Sequence, residues 1–176
     1  MIVLDIVTQT EIVTRTIKHY LTVENKENGL LEDVQTIIKS ITTDMAIDTP
    51  CVWINEKGTF PYGKNNLSHT QELSSTYEFV CIDYDDDLEI AQDKSKNLAT
   101  RVVTTILKHL NVSRENETDP LRLFSKVEFK ELLVGTVPIT NKLDGTPASS
   151  VTLDFVYTID WLKCRKYNTI DVDNTG

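Results

Sequence analysis

The chain has 176 residues, of which 40% are hydrophobic and 26% charged, a composition typical of a globular domain that is large enough to bury its own core. Its formal net charge is −9. Because its lysines and arginines do not cluster, this charge argues against general binding to nucleic acid or to an anionic membrane surface. The apolar N-terminal stretch contains Asp5 and Glu11 and lacks the basic start of a signal peptide, and no stretch approaches the roughly 20 apolar residues of a membrane span.

The three cysteines, Cys51, Cys81 and Cys164, lie far apart and form no CxxC pair. Each is in a segment whose pattern predicts a strand. An odd number of separated cysteines is typical of reduced thiols that serve as small apolar side chains. We therefore expect the protein to be made in a reducing, intracellular compartment.

The N-terminal part predicts two amphipathic helices. Apolar residues recur at helical spacing over residues 5–23 and again in "LLEDVQTIIKSI" at 30–41. Between them, "NKENG" at 25–29 predicts a turn with a glycine at its end. Residues 44–50 then close the second helix.

The middle of the chain predicts two strands and the longest helix. "CVWI" at 51–54 predicts a short strand, followed by a turn in which Gly58 has a positive φ, and the polar stretch 61–75 predicts a long loop. "STYEFVCIDY" at 75–84 is apolar on both parities, which is typical of a central strand. The helix predicted at 85–110 begins with three aspartates and ends with basic residues, as the helix dipole favours.

The last part predicts a long hairpin, in which a strand at 124–139 is joined by a turn at 140–150 to a strand at 151–162. The resulting order, α-α-β-β-α-β-β, predicts an α+β fold. We expect two layers, with about four antiparallel strands in one sheet and the helices packed on one face. Residues 1–167 are expected to form this single domain, and residues 168–176 a flexible C-terminal tail.

The last predicted strand alternates with unusual regularity. One of its faces is wholly apolar, whereas the other mixes polar residues with Val156 and Leu162. An unpaired strand edge is a template for pairing with another chain, and we therefore predict that sister copies complete this hairpin. The candidate interface residues are Lys126, Glu128, Lys130, Thr152, Asp154, Val156, Thr158, Asp160 and Leu162.

One pattern points to catalysis. Glu128 and Lys130 form a Glu-x-Lys pair on a predicted strand. With Asp83 upstream, they match nucleases in which the two acids hold Mg²⁺ and the lysine polarises the phosphate. The same alternation describes the solvent face of an ordinary strand, which is the preferred interpretation because a surface of net charge −9 offers little to hold phosphate.

No other stretch predicts a site for a metal or a cofactor. The histidines, His19, His69 and His109, lack partners at zinc-ligand spacing, and the scattered glycines include no phosphate-binding loop. Trp53 and Trp161 are expected to face the core. We therefore predict no catalytic residue, no cofactor and no bound metal.

The order of elements is informative as a whole. The matching stretches are "LLEDVQTIIKSI", "CVWINEKGTF", "STYEFVCIDYDDDLEIAQDKSKNLATRVVTTILKHL" and "VEFKELLVGTV…SSVTLDFVYTIDWL". A leading helix, two strands with a long loop between them, a long acid-capped helix and a long terminal hairpin resemble the tail-terminator and tail-to-head joining (tail completion) proteins of long-tailed bacteriophages. The resemblance spans about residues 30–163 in layout, and the helix at 5–23 is an addition to it.

The resemblance implies a structural virion protein, made in the host cytoplasm and located in the tail or neck of the particle. Such a protein forms a ring, commonly a hexamer, that caps the tail tube and joins it to the head connector. DNA only passes through the lumen, where an acidic wall lets it slide. The alternatives are another neck, head-completion or tube-like subunit and, from a different class, the metal-dependent nuclease.

Overall fold

A computed structural model of the chain describes residues 6–39, 47–63, 70–115, 124–136 and 146–160. Its elements are α1 (Ile6–Val23), β1 (Thr36–Ile38), β2 (Cys51–Pro61), β3 (Thr70–Ile82), α2 (Leu88–Glu115), β4 (Phe124–Thr136) and β5 (Pro147–Asp160). The strands form one sheet in the order β1-β2-β3-β5-β4. β1 and β2 are parallel, and all other neighbours are antiparallel. The predicted α+β class is confirmed, but the sheet is mixed and has five strands instead of about four antiparallel ones.

The prediction of a second helix at residues 30–41 is wrong. Its first residues form a turn, and the backbone amides of Gln35 and Thr36 donate to the carbonyl oxygen of Pro50 at 2.8 and 3.3 Å. The short strand β1 follows, with Ile37 packed against one apolar cluster and Ile38 against another. A strand between two clusters is apolar on both faces, and such a run resembles a helical pattern when the periodicity is read from sequence alone.

Two predicted loops are partly strand. The turn expected at 55–58 is a β-bulge inside β2, where Gly58 has a φ of 155°, so that the positive φ is confirmed while the strand continues to Pro61. β3 begins at Thr70, within the loop predicted at 61–75. The polar residues Ser74 and Ser75 at the end of that stretch are buried in the sheet, and the Ser75 hydroxyl bonds Thr59 and Tyr157 at 2.7 and 2.8 Å, so tertiary partners make a strand out of a stretch whose polarity predicts a loop.

Both helices pack on one face of the sheet, which we call the inner face. Phe155 of β5 is at its centre, fully buried, with its ring 4.9 Å from the ring of Phe124 and 5.6 Å from that of Tyr77. The hydroxyls of the buried Tyr77 and Tyr157 are satisfied, since Tyr77 bonds Thr14 and Tyr157 bonds Ser75, each at 2.8 Å. Burial raises the pKa of both tyrosines.

The opposite face, which we call the outer face, has a small apolar cluster at one end. It contains the side chains of Cys51, Val80, Ile82 and Ala148, with Ile47 and Trp53 packed against them. Trp53 therefore lies on the outer face, against the prediction that it faces the main core, and its indole N–H donates to the carbonyl oxygen of Lys39 at 3.3 Å. Trp161 lies outside the described residues.

The cysteines are on both faces. Cys81 belongs to the main core and Cys51 to the outer cluster, and both are buried and free, as predicted. Burial raises the pKa of Cys51 to about 12 and raises that of Cys81 as well. These thiols are therefore protonated at neutral pH and serve as apolar side chains. Cys164 lies outside the described residues.

The long helix α2, predicted at 85–110, begins at Leu88, so the three aspartates precede it, and it ends later than predicted. Asp87 caps it, because its carboxylate accepts the backbone amides of Glu89 and Ile90 at 2.9 and 3.3 Å. The helix continues to Glu115. In the part of the chain described here, no helix has the length and hydrophobicity to cross a membrane. The predicted tail, 168–176, lies outside that part.

A buried carboxylate fastens the helices together beside β1. Glu24 follows α1, and its carboxylate accepts bonds from Lys108 at 2.7 Å, from His109 at 3.1 Å and from the Leu30 amide at 3.2 Å. The ring of His109 also stacks on Tyr20, with the centroids 5.2 Å apart. The end of α1, the C-terminal half of α2 and the turn between α1 and β1 thus share one polar centre.

Candidate functional site

The predicted assembly hairpin consists of β4 and β5, and the two strands occupy different positions in the sheet. β5 lies between β3 and β4 and is paired on both sides. It therefore cannot serve as a template for another strand, against the prediction that put most of the interface on it. The edge strand is β4, which has 13 residues. No strand among the described residues pairs with its other side.

The predicted interface residues of β5 are on the outer face, but they are not equally accessible. Thr152 and Asp154 are half-buried, Thr158 is exposed and Val156 is buried. The expectation that Val156 awaits a neighbour in another copy is therefore wrong. Asp160 is the last residue of β5, opposite Thr70, with its side chain outside the described part. Leu162 also lies outside it.

A residue that the sequence analysis did not single out contacts β4 across the outer face. Tyr62 follows β2, and its hydroxyl donates to Glu128 at 3.3 Å and accepts from Lys126 at the same distance. β3 and β5 separate β2 from β4 in the sheet, so these side chains reach across the outer face. Ser74 and Lys126 are the register partners of Val156 on the two sides. Nothing in the sequence near Tyr62 signals this contact, because it depends on the order of the strands.

Two bulges shape β4. The register shifts between Phe124 and Lys126 and again between Phe129 and Glu131, so Ser125 and Lys130 are the extra residues. The first bulge is stabilised by the Ser125 hydroxyl, which donates to the carbonyl oxygen of Val156 at 3.1 Å. Because of the second bulge, residues beyond Lys130 change parity, which a simple alternation of charges does not reveal.

The charged residues of β4 form a network on the outer face. Glu128 is bonded by Lys126 and lies 3.5 Å from the ammonium of Lys130, which also contacts Asp154 at 2.9 Å. Asp154 in turn accepts a bond from Thr76 at 2.7 Å. The bond with Lys126 holds the pKa of Glu128 below its usual value, and the bond with Asp154 raises the pKa of Lys130. The structure thus brings together four predicted site residues, Lys126, Glu128, Lys130 and Asp154, as charge-balanced partners.

The three residues of the nuclease hypothesis are not brought together. Glu128 and Lys130 are neighbours, but Glu128 is level with Thr76 of β3, and Asp83 lies seven residues further along that chain. At about 3.3 Å per residue, this is a separation of roughly 23 Å, too far for one metal ion. Burial raises the pKa of Asp83. Over the described residues, no group of three or more histidine, cysteine, aspartate or glutamate side chains could hold a metal ion.

The edge strand also exposes large apolar side chains. Phe129 is 59% exposed, Leu133 53% and Val134 42%. Exposed apolar residues on a long, unpaired edge are typical of a surface that another chain covers. The sequence analysis placed its candidate surface on the same hairpin but did not include these residues, which polarity alone does not distinguish from core residues.

Neither known protein families nor curated proteins give a match to this sequence.

Proposed function

We propose that this protein is a structural subunit that assembles through the free edge of β4. Its assembly is a ring that caps the tail tube of a bacteriophage and joins it to the head connector. The main observation behind this proposal is that edge, a strand of 13 residues with exposed Phe129, Leu133 and Val134. A surface of this kind is costly in a protein that works alone, because it invites uncontrolled pairing.

The order of elements supports the resemblance from which the proposal came. From Cys51 to Asp160 the chain forms two long strands, a long helix and two more long strands. The stretch that was expected to supply the leading helix, 30–41, does not form one. Helix α1 precedes the strands instead, so a helix still comes first in the order of elements. The helix at 5–23, which the sequence analysis treated as an addition to the family layout, therefore takes the place of the leading helix.

The charge distribution fits a ring around DNA. The chain has a formal net charge of −9, and the lysines of the outer face are occupied by Glu78, Glu128 and Asp154. Paired lysines offer little to a phosphate backbone. DNA could therefore pass through the lumen of such a ring without being retained.

The assembly state tests the proposal. We would measure the mass of the full chain by light scattering, alone and with tail tubes of the phage that encodes it, and image both samples by negative-stain electron microscopy. We expect rings at one end of the tubes, whatever the number of subunits in each ring. Replacing Leu133, on the free edge, by aspartate should abolish them. The matched control is Phe60→Asp, since Phe60 is 59% exposed on β2.

Two outcomes would contradict the proposal. A chain that never exceeds a dimer, even with tubes present, is not a ring subunit. A chain that binds the isolated head connector but not the tube is another neck or head-completion subunit. Incubation with plasmid and Mg²⁺ tests the nuclease alternative, for which we expect no cleavage; cleavage that Lys130→Ala abolishes would restore it.

A further inference from the structure

The helical layer is too narrow for the sheet. Neighbouring strands are about 4.8 Å apart, whereas packed helices are about 10 Å apart, so two helices cover roughly four strands. α1 packs over β1 and β2, and α2 packs mainly over β3 and β5. The fifth strand, β4, is only partly covered: on its inner face Phe124 is buried and Val127 and Leu132 pack against the core, whereas Phe129 and Val134 stay exposed.

These two exposed side chains form an apolar strip that continues onto α2. Register with β5 places five apolar side chains of β4 on the inner face, because paired residues point to the same side. They are Phe124, Val127, Phe129, Leu132 and Val134. On α2, Arg101 and Lys108 turn toward Asp33 and Glu24. At 3.6 residues per turn, Val103 and Leu107 lie on the opposite flank, toward β4, and Leu107 is 44% exposed.

We propose that a second copy of this chain covers the strip by pairing its own β4 antiparallel to this one, about a two-fold axis at Phe129. The bulges do not disturb this register on the inner face. Counted along the ladder, Phe129 meets Phe129, Val127 meets Leu132, and Phe124 meets Val134. Every inner position between the two ends then has an apolar partner, and the two sheets become one with both helical layers on the same side.

Charge allows a sister copy at this edge. The chain has a net charge of −9, so two copies repel each other over most approaches. β4 is different, because Lys126 and Lys130 balance Glu128 and Glu131. On the outer face the same register sets Glu128 opposite Glu131 of the second copy, and the two lysines, which pair with Glu128 within each copy, offset this contact between like charges.

This pairing regulates assembly of the ring, a consequence that rests on the proposed function. A two-fold contact uses the same patch on both copies and closes on itself. A ring with different faces toward tube and connector needs a head-to-tail contact instead. The two contacts compete for the edge of β4, so the free chain is held as a dimer that must open before it joins a ring.

Cysteine cross-linking tests the register. In the full chain with Phe129→Cys, the two new thiols would face each other on the axis, where strand partners are about 4.5–5.5 Å apart between Cα atoms, within disulfide range. We expect copper phenanthroline to convert most of this variant into a covalent dimer. The control is Phe60→Cys, equally exposed at 59% on another strand, and the unsubstituted chain gives the baseline.

A second variant tests the contact without oxidation. Phe129→Glu should convert the dimer into a monomer in light scattering, with its far-UV circular dichroism unchanged, whereas Phe60→Glu should remain dimeric. A chain that is monomeric at every concentration, or equal cross-linking of both cysteine variants, would overturn the pairing.

The failure of this proposal can be told apart from failure of the ring. Rings on tail tubes without cross-linking at position 129 would reject the dimer and keep the ring. Cross-linking without rings would support the dimer and reject the ring. If both hold, the covalent dimer should no longer cap tubes, and reduction should restore capping; a covalent dimer that caps tubes as well as the free chain would refute the competition.

Discussion

The two edges of the sheet are built in opposite ways. At one edge, β1 has three residues, and the turn before it is held by the carboxylate of Glu24 and by an ion pair of Arg101 with Asp33. At the other edge, β4 has 13 residues, and no described strand lies beyond it. A hydrogen bond and an ion pair thus hold the turn at β1. The longer edge, β4, is unpaired in the part of the chain that the structure describes.

The difference lies in coverage more than in composition, since both edge strands contain large aliphatic residues. Ile37 and Ile38 are half-buried, whereas Leu133 and Val134 are 53% and 42% exposed. The short strand beneath α1 is protected by the rest of the fold. The long strand β4 has no neighbour on its outer side among the described residues, and such an edge is a template for pairing with another chain.

The largest effect on stability is expected for Phe155, which packs against strands on both sides of β5. Phe155→Ala removes a fully buried ring next to Phe124 of β4 and Phe79 of β3, and should lower the free energy of unfolding by about 3–5 kcal/mol. Urea denaturation measures this, and the transition should stay two-state. A variant that loses only the β4 side, seen by hydrogen exchange, would mean that the two edges unfold independently.

Glycines on the two edges should respond differently. A Cβ at Gly29 would lie 2.1 Å from the carbonyl oxygen of Glu24, whereas a Cβ at Gly135 of β4 would have no atom within 4 Å. Gly29→Ala should therefore cost about 2–3 kcal/mol, near the top of the range for overpacking, and Gly135→Ala about 0.5 kcal/mol or less. Thermal melting of both variants measures these losses of stability. Equal losses would contradict the expected difference between the two glycines.

The closed edge should depend on pH through Glu24. The bond with Lys108 is the main cause that lowers its pKa from the usual 4.5. A pKa lower in the folded than in the unfolded state stabilises the fold above about pH 4.5, and this stabilisation is lost as the pH falls through the folded-state value. Glu24→Gln should thus cost about 1–3 kcal/mol at pH 7.

Urea unfolding of that variant at several pH values measures the effect, and the difference from the natural chain should shrink below pH 4.5. Glu27→Gln, in the same turn but exposed, is the control and should be neutral within about 0.5 kcal/mol. A difference that is constant with pH would show that the charge of Glu24 does not contribute.

The smallest effect on folding is expected at the open edge. Phe129→Ala should change the free energy of unfolding by no more than about 0.5 kcal/mol, measured where the chain is monomeric, because most of the ring is already in water. The same substitution at Phe155 serves as the comparison. A large loss at Phe129 would mean that this edge is covered within the single chain.

Several features follow from local sequence. The helices α1 and α2, the cap at Asp87, the buried free thiols Cys51 and Cys81 and the long alternating strand β5 depend on periodicity, charge at helix ends or residue type, which act over a few residues. Even the positive φ of Gly58 is a local property. These predictions are confirmed.

The tertiary structure decided what depends on distant partners. The apolar run at 36–38 became a strand because Pro50 and β2 supply its backbone bonds. β5 became internal and β4 the edge because β3 pairs with β5, and a strand's own sequence does not determine its neighbours. The same pairing put Asp83 far from Glu128 and laid Tyr62 across the outer face. Sequence determined the two helices and most of each long strand; the order of the strands determined which edge is left unpaired in the described part of the chain.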